Sequence, residues 1–272
     1  MTACPASPQM HERSQGAAHV TLRQGPGGGR LHRRHQQGSA KAFLHPGASG
    51  PEVVFLNTSG GLTGGDRLSH RLDLAEGCCA TGTTQTAERA YRSTTGAASV
   101  TVHHRVGAGA HLDWLPQETI LFEGSHLVRE TGIELDAGAS CLLLESVVLG
   151  RAAMGETVIR TTLRDTRRIT RAGRPVLIEP LHLSTEALTA GPAILDGARA
   201  FATLALVAPG AEDAVSRVRA QLTNSGVTGG VSGFDGKLVV RLMAGDGWPL
   251  RRQIMRLLEV LRPGPLPRVW QH

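Results

Sequence analysis

Three glutamates are unusual because each lies in an apolar or nearly apolar run of the chain. Glu118 lies in LPQETILF, Glu145 in LLLESVV and Glu156 in AAMGETVI. A carboxylate in an apolar interior costs free energy unless it is ion-paired, hydrogen-bonded, metal-bound or hydrated. Each glutamate could face solvent or pair with an arginine, for which the candidates include Arg89, Arg151 and Arg160. The presence of three such acids also makes a polar passage through the interior a hypothesis.

Asp66 is a second candidate because it follows the glycine-rich stretch LNTSGGLTGGDRL at 56–68. The glycine spacing matches a phosphate-binding P-loop, but Asp66 and Arg67 stand where that loop requires Lys followed by Ser or Thr. A dinucleotide-binding loop would lead into a helix, whereas an alternating strand follows here at 68–74. We therefore expect the glycines to serve backbone geometry. Asp66 either closes a tight turn or holds a carboxylate at the start of the strand.

Other catalytic signatures are missing from the sequence. The chain lacks a G-x-S-x-G nucleophile elbow, an H-E-x-x-H zinc motif and the protein-kinase set. His103 and His104 are neighbours on a predicted strand, so their rings face opposite sides and cannot chelate one metal together. The four cysteines include an adjacent pair and no C-x-x-C, which is not a disulfide framework. We therefore expect no enzyme activity and no tightly bound metal or cofactor.

The elements that would position these groups are predicted to be short strands. From about residue 40, apolar and polar residues alternate in runs separated by Gly, Asp and Ser. Such runs with regular turn signals predict a mainly β fold. Two segments, 211–222 and 248–261, carry the apolar spacing of amphipathic helices. The prediction is therefore a β protein with about two α-helices near its C-terminus.

A weak internal repeat suggests how the strands are ordered. A strand, a glycine turn and a second strand recur three times, with turn glycines at Gly77, Gly109 and Gly138. If these units stack as rungs, the residues seven and eight places after each glycine lie close together. Those places hold Thr84, Gln85, Pro116, Gln117, Glu145 and Ser146. We therefore expect stacked or superhelical sheets that resemble a β-helix.

The positive charge of the chain is concentrated at its beginning. Residues 1–41 carry six basic side chains against one acidic side chain, and the rest is nearly balanced. We interpret residues 1–36 as a disordered basic leader and residues 37–272 as a single β-rich domain. The first residues lack the apolar core of a signal peptide, and no run of about 18 apolar residues occurs. We therefore expect a soluble, cytoplasmic protein.

Four segments together resemble the family of the urease accessory protein UreD, also called UreH. In the order and spacing of that family they are LNTSGGLTGGDRL at 56–68, TTQTAERAYRS at 83–93, LDWLPQETILFEGSHL at 112–127 and LGRAAMGE at 149–156. The resemblance covers roughly residues 37–183. The leader at 1–36 and KAFLHPGASGP at 41–51 depart from the family pattern.

The resemblance implies a non-enzymatic scaffold, or chaperone, for the assembly of nickel urease. Its implied partners are apo-urease, the helical accessory protein UreF and, through UreF, the GTPase UreG. Ni²⁺ would travel through an internal water-filled tunnel, so nickel is a cargo in transit rather than a cofactor. The missing P-loop agrees with this interpretation, because the GTP chemistry would belong to a partner. No nucleic-acid or membrane partner is expected.

The resemblance and the residue chemistry together select the candidate site. Ni²⁺ binds imidazole and thiolate well, so carboxylates, amides and hydroxyls suit a passage that must also release the ion. The candidate tunnel or interface groups are Asp66, Thr83, Thr84, Gln85, Glu118, Glu145 and Glu156. Of these, Asp66, Glu118 and Glu145 are preferred as stops for a hydrated cation. Replacing Glu145 with leucine is expected to leave the fold intact and to reduce nickel loading of co-expressed urease.

The second predicted helix supplies candidate residues for binding UreF, namely Arg252 and Arg256. The residues expected to form the core that shapes the passage are Tyr91, Trp114, Leu115, Pro116 and Phe122.

Two other functions are consistent with the sequence. A basic, β-rich nucleic-acid-binding protein is suggested by the pI of about 9.9, although the charge excess lies outside the predicted folded body. A β-fold hydrolase could use Asp66 and Glu118 as an acid/base pair, but the chain lacks a recognisable nucleophile.

Overall fold

A computed structural model of the chain describes residues 13–151 and 154–271. These residues form seventeen strands in two sheets, with three short α-helices. The strands are β1 (Gln15–Arg23), β2 (Arg30–Gly38), β3 (Ala40–His45), β4 (Glu52–Asn57), β5 (Arg67–Leu74), β6 (Cys79–Thr84), β7 (Glu88–Ala90), β8 (Ala98–Val106), β9 (His111–Trp114), β10 (Thr119–Leu121), β11 (Ser125–Leu135), β12 (Ser140–Leu149), β13 (Thr161–Arg171), β14 (Arg174–Leu183), β15 (Ala200–Val207), β16 (Val227–Phe234) and β17 (Lys237–Ala244). The helices are α1 (Thr185–Thr189), α2 (Val215–Ala220) and α3 (Gly247–Leu261), and 3₁₀ turns span Pro26–Gly28, Ala211–Ala214 and Arg268–Trp270.

Successive coils of a parallel superhelix build the central part of both sheets, and antiparallel strands extend each sheet at its edges. The first sheet has the order β14-β13-β11-β8-β5-β1-β2, and the second has the order β16-β17-β15-β12-β9-β6-β4-β3. The short strands β7 and β10 pair with each other, and β10 pairs with β12. From β4 to β13 the chain passes back and forth between the sheets, and the short strands β7 and β10 follow β6 and β9 as additional strands of the second sheet. This β-helix-like arrangement confirms the predicted fold class.

The internal repeat corresponds to consecutive coils. The three turn glycines, Gly77, Gly109 and Gly138, have φ values between 64° and 68°, a left-handed conformation that side-chain-bearing residues adopt only with strain. The strands that follow them, β6, β9 and β12, are neighbours in the second sheet. The registers align Gly82 with Trp114 and Trp114 with Leu143, and Thr84 and Glu145 each lie two residues further along their strands. The prediction that the repeats stack as rungs is confirmed.

The prediction of a disordered leader at residues 1–36 is wrong for residues 15–36, and residues 1–12 lie outside the described part. β1 runs parallel to β5, and β2 runs antiparallel to β1 at the edge of the first sheet. Ala18, Val20 and Leu22 of β1 are buried. The basic side chains of β2 project into solvent, so they impose no desolvation cost while the backbone of β2 pairs with β1. Composition alone suggested disorder because these exposed charges outnumber the few buried aliphatic residues.

The molecule has two apolar layers. One lies between the two sheets, and the other lies between the second sheet and the helices. Helix α3 buries Leu250, Ile254, Leu257 and Leu258 in the second layer, as its amphipathic spacing predicts. Nothing among the described helices has the length and hydropathy needed to cross a bilayer.

Most of the predicted core residues are buried. They are Trp114, Leu115, Pro116 and Phe122. Tyr91 is an exception, because it is 42% exposed and its hydroxyl donates to the carbonyl oxygen of Gly60 over 3.4 Å.

Candidate functional site

Glu145 on β12 lies between the two sheets and is 2% exposed. Its Oε2 is 2.7 Å from Nη1 of Arg129, which projects from β11 of the opposite sheet. The Thr131 hydroxyl and the Trp114 indole N–H donate to its Oε1 over 3.0 and 3.4 Å. Glu145 therefore has an arginine partner, which comes from the opposite sheet and is none of the three arginines named as candidates from the sequence.

The Arg129 guanidinium extends this contact into a buried network of alternating charges. Its Nε and Nη2 donate to the two carboxylate oxygens of Asp165 over 3.0 and 2.6 Å. Asp165 also accepts from Arg167, whose Nη1 lies 2.8 Å from Oε2 of Glu179. Oε1 of Glu179 is in turn 2.8 Å from Nε of Arg241. The network thus runs from the space between the sheets to the exposed Arg241 side chain.

The charges in this network stabilise one another. Burial opposes ionisation of Asp165, but the adjacent charges and hydrogen bonds of Arg129 and Arg167 lower its pKa to about 2. Burial likewise opposes the charge on Arg129, and Asp165 and Glu145 more than offset it by raising the pKa of the guanidinium. Each buried charge is therefore paired, as the cost of desolvation requires.

Two cavities have lining residues in common, and we call the one that Glu145 borders the inner cavity and the one beside the Gly61 turn the outer cavity. The inner cavity, of about 40 Å³, is lined by residues that include Glu145, Arg129, Thr84 and Glu88. The outer cavity, of about 110 Å³, is lined by the Gly61 turn and again by Thr84 and Glu88. Thr84 and Glu88 therefore line both cavities, and we call these two residues the shared wall.

Glu88 on β7 differs from the buried acids of the network in its partners. Its carboxylate accepts from Asn57 Nδ2 at 3.4 Å to each oxygen and from the backbone N–H of Arg89 over 3.1 Å. Within residues 13–151 and 154–271, it forms no ion pair with an arginine or lysine side chain. Burial raises its pKa to about 6, and these hydrogen bonds and the charge of Arg89 offset only part of that effect.

The glycine-rich loop serves backbone geometry, as the sequence predicts. Gly60, Gly61 and Gly65 have φ values of 78°, 146° and 91°. Asp66 is 5% exposed and accepts from the backbone N–H groups of Ser14 and Thr63, both over 2.8 Å. Its carboxylate therefore closes the turn and fastens the chain just before β1. Asp66 does not line the inner or the outer cavity.

The three polar residues predicted at 83–85 have different surroundings. Thr83 is fully buried, and its hydroxyl donates to the carbonyl oxygen of Leu115 over 2.6 Å. Thr84 accepts from the backbone N–H of Gln117 over 2.9 Å and lines both cavities. Gln85 is exposed. Only Thr84 of this group reaches the shared wall.

The remaining predicted acids lie outside the two cavities. Glu118 is half-buried, with Oε2 at 3.6 Å from Nη1 of Arg251 on α3. Glu156 lies in a loop, where it pairs with Arg151 at 3.1 Å and accepts from the backbone N–H of Glu123 over 3.1 Å. The predicted set is therefore brought together only in part, since Thr84 and Glu145 share the inner cavity.

The arginines predicted to bind a partner lie on the outer part of α3. Arg252 is exposed, and Arg256 is half-buried with its Nη1 donating to the Thr223 hydroxyl over 3.0 Å. The preceding residue, Arg251, faces inward and stacks over the Trp270 ring at 4.5 Å. Of the three, Arg252 is the most available to another protein.

Two histidines are buried between the sheets without belonging to the cavity walls. The His104 ring lies 4.4 Å from that of Trp114, and the His70 ring stacks on Phe55 at 4.9 Å. Burial lowers the pKa of His70 to about 4 and that of His104 to about 3, so both are neutral at pH 7. The described residues contain no group of three His, Cys, Asp or Glu side chains arranged to hold a metal ion.

The sequence interpretation missed the charged residues of the network. In β13 the buried residues alternate as Leu163, Asp165, Arg167 and Ile169, with the charged pair in phase with the aliphatic residues. Arg129 occupies an inward position of β11 in the same way. A search for charged residues at the buried, alternating positions of a strand would have found them. Glu88 lies in a strand of three residues, which is too short for such a search.

Comparison with known proteins identifies the family. A family model described as UreD urease accessory protein matches residues 14–271. The chain belongs to the UreD family of urease accessory proteins. The match includes β1 and β2, so the resemblance extends well beyond residues 37–183.

Individual relatives agree with this family membership. The chain is 64% identical over 264 residues to the urease accessory protein UreD of Cereibacter sphaeroides, covering 96% of each chain. It is 52% identical over 268 residues to that of Paracoccus denitrificans, covering 97% of this chain and 95% of the relative. It is also 43% identical over 263 residues to that of Rhizobium leguminosarum bv. trifolii, covering 95% and 96%.

Proposed function

We propose that this UreD-family chain is a non-enzymatic scaffold that delivers Ni²⁺ to apo-urease and conducts the ion through its interior. In this proposal UreF binds the scaffold and brings the GTPase UreG, which supplies the nickel. The scaffold itself breaks no bond, and its contribution is to hold the partners and to provide a polar route through an apolar body.

The two cavities support the proposed route. The inner cavity is bordered by Glu145 and Arg129 of opposite sheets, and the outer cavity is bordered by Gly60 and Gly61 of the glycine-rich loop. Among the described residues, their walls present carboxylate, hydroxyl and amide groups, including Glu145, Thr84 and Asn57, and include no histidine or cysteine. One arginine also lines each cavity, and Arg129 in the inner one is paired with Glu145. Oxygen ligands of this kind hold Ni²⁺ less tightly than imidazole or thiolate does. An ion can therefore enter such a site and leave it again, as passage requires.

The position of α3 supports the proposed contact with UreF. This helix packs its apolar side on the second sheet and leaves Arg252 exposed on the other side. Its C-terminal end is held by Arg262, whose Nε lies 3.0 Å from Oδ2 of Asp113 on β9. A helix fixed in this way offers a rigid, positively charged surface to a partner.

The experiment that tests the proposed function is co-expression of urease with its accessory proteins, with and without this chain. We expect urease purified without the chain to contain little nickel, measured by elemental analysis, and to regain it when the chain is restored. Thr84→Phe places a larger side chain at a residue that lines both cavities and should lower the nickel content of urease. Thr101→Phe, at an exposed strand position, should not. Full nickel loading in the absence of the chain would reject the scaffold function.

A nucleic-acid-binding function is the second candidate, and the edge strand β2 favours it. Arg30, Arg33 and Arg34 are exposed on this ordered strand, so the folded body does carry a basic edge. If this edge binds nucleic acid, a gel shift should weaken steeply with salt and disappear when the three arginines are replaced by glutamine. Binding that is absent at low salt would reject this candidate.

A further inference from the structure

A cavity outside the proposed nickel route lies where the parallel strands β8, β11 and β13 of the first sheet begin. It has a volume of about 260 Å³ and is bordered by the turn before β8, the first residues of β11 and β13, and the start of α1. Of the eleven described residues that line it, seven carry a hydroxyl group, two are glycines, and the others are His126 and Arg160. We call it the hydroxyl cavity. Pockets for drug-sized molecules have volumes of about 300 to 1,000 Å³, so this one suits a smaller, polar ligand.

Part of this lining is already committed to hydrogen bonds within the protein. Ser125 and Thr161 are each 2% exposed, and their hydroxyl oxygens lie 2.8 Å apart. The Ser93 hydroxyl donates to the carbonyl oxygen of Gly96 over 2.5 Å. The Thr185 hydroxyl donates to the carbonyl oxygen of Thr161 over 3.4 Å. These bonds hold the elements around the cavity together, and donors for a ligand must come from the rest of the lining.

Four other side chains of the lining keep such donors. The hydroxyls of Thr94 and Thr162 and the ring of His126 form no hydrogen bond with another group in the described parts of the chain. Thr95 accepts from Nη2 of Arg13 over 2.9 Å, which leaves the O–H of Thr95 able to donate. A neutral imidazole also carries one N–H donor. The open part of the lining is therefore able to donate several hydrogen bonds at once.

Three arginines place positive charge around these donors. Arg13 reaches the cavity through its contact with Thr95. Arg92 is exposed, and its Cγ would lie 3.0 Å from a Cβ at position 124, so its side chain passes beside a glycine of the lining. Arg160 lines the cavity itself, and within residues 13–151 and 154–271 its Nη1 and Nη2 have no hydrogen-bond partner.

The neighbouring acids do not enter the cavity. Glu123 accepts from Nε of Arg160 over 2.9 Å and from the backbone N–H groups of Ile159 and Arg160 over 2.8 and 3.0 Å. Glu186 follows Thr185 along the chain and is exposed. Neither carboxylate belongs to the described lining. An anion in the cavity would therefore meet donors and positive charge, whereas a metal ion would find no carboxylate ligand among the described lining residues.

We propose that the hydroxyl cavity binds a phosphate group. Phosphate oxygens accept hydrogen bonds and donate few, which matches a lining that offers hydroxyl, imidazole and guanidinium donors. The flat guanidinium of arginine also fits two phosphate oxygens at once. The inference goes beyond the proposed function, because the cavity shares no lining residue with the inner or the outer cavity.

The test is a titration of the purified full chain with inorganic phosphate, followed by the phosphorus NMR line width. It is run in about 0.1 M sodium chloride, where charges more than roughly 10 Å away are screened. The variants are Arg92→Gln, which removes a charge, and Thr162→Val, which removes a hydroxyl at nearly constant volume. Their matched controls are Arg168→Gln and Thr166→Val, on the same outer side of β13 as Thr162. Arg168 is six residues from Thr162, or about 20 Å along the strand.

We expect the wild type to bind phosphate in a saturable manner. Arg92→Gln and Thr162→Val should each bind it about tenfold more weakly, as expected for the loss of one hydrogen bond to a charged group. Thr162→Ser, which keeps the hydroxyl, and both controls should bind like the wild type. Line widths that do not saturate, or equal binding by the wild type and all the variants, would overturn the inference.

A second probe distinguishes free phosphate from a phosphate ester. If glycerol 3-phosphate binds at least as tightly as inorganic phosphate and loses affinity in Thr162→Val, the ligand is a phosphate ester. If only inorganic phosphate binds, the site takes the free anion. Nickel loading of urease by Thr162→Val reports on the scaffold function separately, so phosphate binding and nickel delivery can each fail without the other.

Discussion

Nη1 of Arg129 and Oε2 of Glu145 lie 2.7 Å apart, and this contact joins the two sheets across the interior of the superhelix. Arg129 is 5% exposed and Glu145 is 2% exposed, so neither charge is hydrated enough to stand alone. The Arg129 guanidinium is also held by Asp165. The pair is therefore both a structural bridge and one wall of the inner cavity, and a substitution at either residue affects both roles.

The contact corrects the expectation that Glu145→Leu leaves the fold intact. The substitution removes one of the two carboxylates that neutralise Arg129, and leaving a buried charge underpaired is strongly destabilising. We expect the free energy of unfolding to fall by about 3 kcal/mol, measured by urea denaturation. An unchanged denaturation midpoint would show that Arg129 is satisfied by Asp165 alone.

A double-mutant cycle isolates the contribution of this pair. Arg129→Met combined with Glu145→Leu removes both partners, so the double variant should be more stable than the sum of the single effects by about 2 kcal/mol. The control is Glu130→Leu on the exposed side of β11, which should be additive with Arg129→Met. Additivity in both cycles would exclude a direct coupling between Arg129 and Glu145.

Acid should destabilise the fold through the two buried histidines. Their folded-state pKa values, about 4 for His70 and about 3 for His104, lie below the unfolded value of 6.5. The unfolded chain therefore binds more protons below pH 6.5, and stability is full above that pH and lost as the pH falls toward 4. Each histidine contributes a slope of about 1.4 kcal/mol per pH unit in this window.

His70→Phe tests this prediction because phenylalanine can keep the stacking on Phe55 but cannot be protonated. The variant should lose less stability than the wild type between pH 6.5 and pH 4.5, measured by urea denaturation at each pH. His45→Phe, at an exposed position of β3, is the control and should keep the wild-type slope. Parallel curves for wild type and His70→Phe would refute the assignment.

Ionisation of Glu88 should make stability depend on pH in the opposite direction to the two histidines, with less stability at higher pH. Its folded-state pKa of about 6 exceeds the ordinary glutamate value of 4.5, so the folded protein binds the extra proton between these values. Stability contributed by this group is present below pH 4.5 and lost as the pH rises through 6. At neutral pH and without metal, Glu88→Gln should therefore be more stable by about 2 kcal/mol, and a less stable variant would contradict the prediction.

The sequence predicts the fold well where its signals are local. Alternation identifies the strands, and the repeated turn glycines predict that β6, β9 and β12 stack. The edge strand β2 could not be predicted in this way, because both of its faces are exposed and it has no face on which apolar residues recur. Its place depends on hydrogen bonds to β1, which local composition does not encode.

The site is less predictable because its contacts cross between the sheets. Glu145 was identified as a costly buried acid, but its partner Arg129 faces it from another strand of another sheet. The alternation of one strand shows that a residue points inward and does not show what it meets. Glu88 is harder still to predict, since β7 has only three residues and the cavities that Glu88 lines are formed by several separate strands and loops.

The glycine-rich loop offers a prediction about close packing. A Cβ at position 64 would lie 2.0 Å from the Ser93 side chain and 2.3 Å from the carbonyl oxygen of Thr95, whereas one at position 60 would meet open space. Gly64→Ala should therefore cost about 3 kcal/mol by overpacking. Gly60→Ala should cost only about 1 kcal/mol, for its positive φ. Urea denaturation distinguishes the two, and equal losses would argue against the packing explanation.

The exposed side of α3 gives a prediction about assembly. Arg252→Glu reverses a charge at a position where the side chain is exposed, so the fold should be unaffected while association with UreF weakens. We expect lower recovery of UreF in a pull-down with the tagged full chain, and a loss that grows smaller at high salt because screening weakens charge repulsion. Arg256→Glu should act in the same direction but also break the contact with Thr223. The matched control is Arg168→Glu on the outer side of β13, and equal recovery of UreF by all three variants and the wild type would reject α3 as the UreF-binding helix.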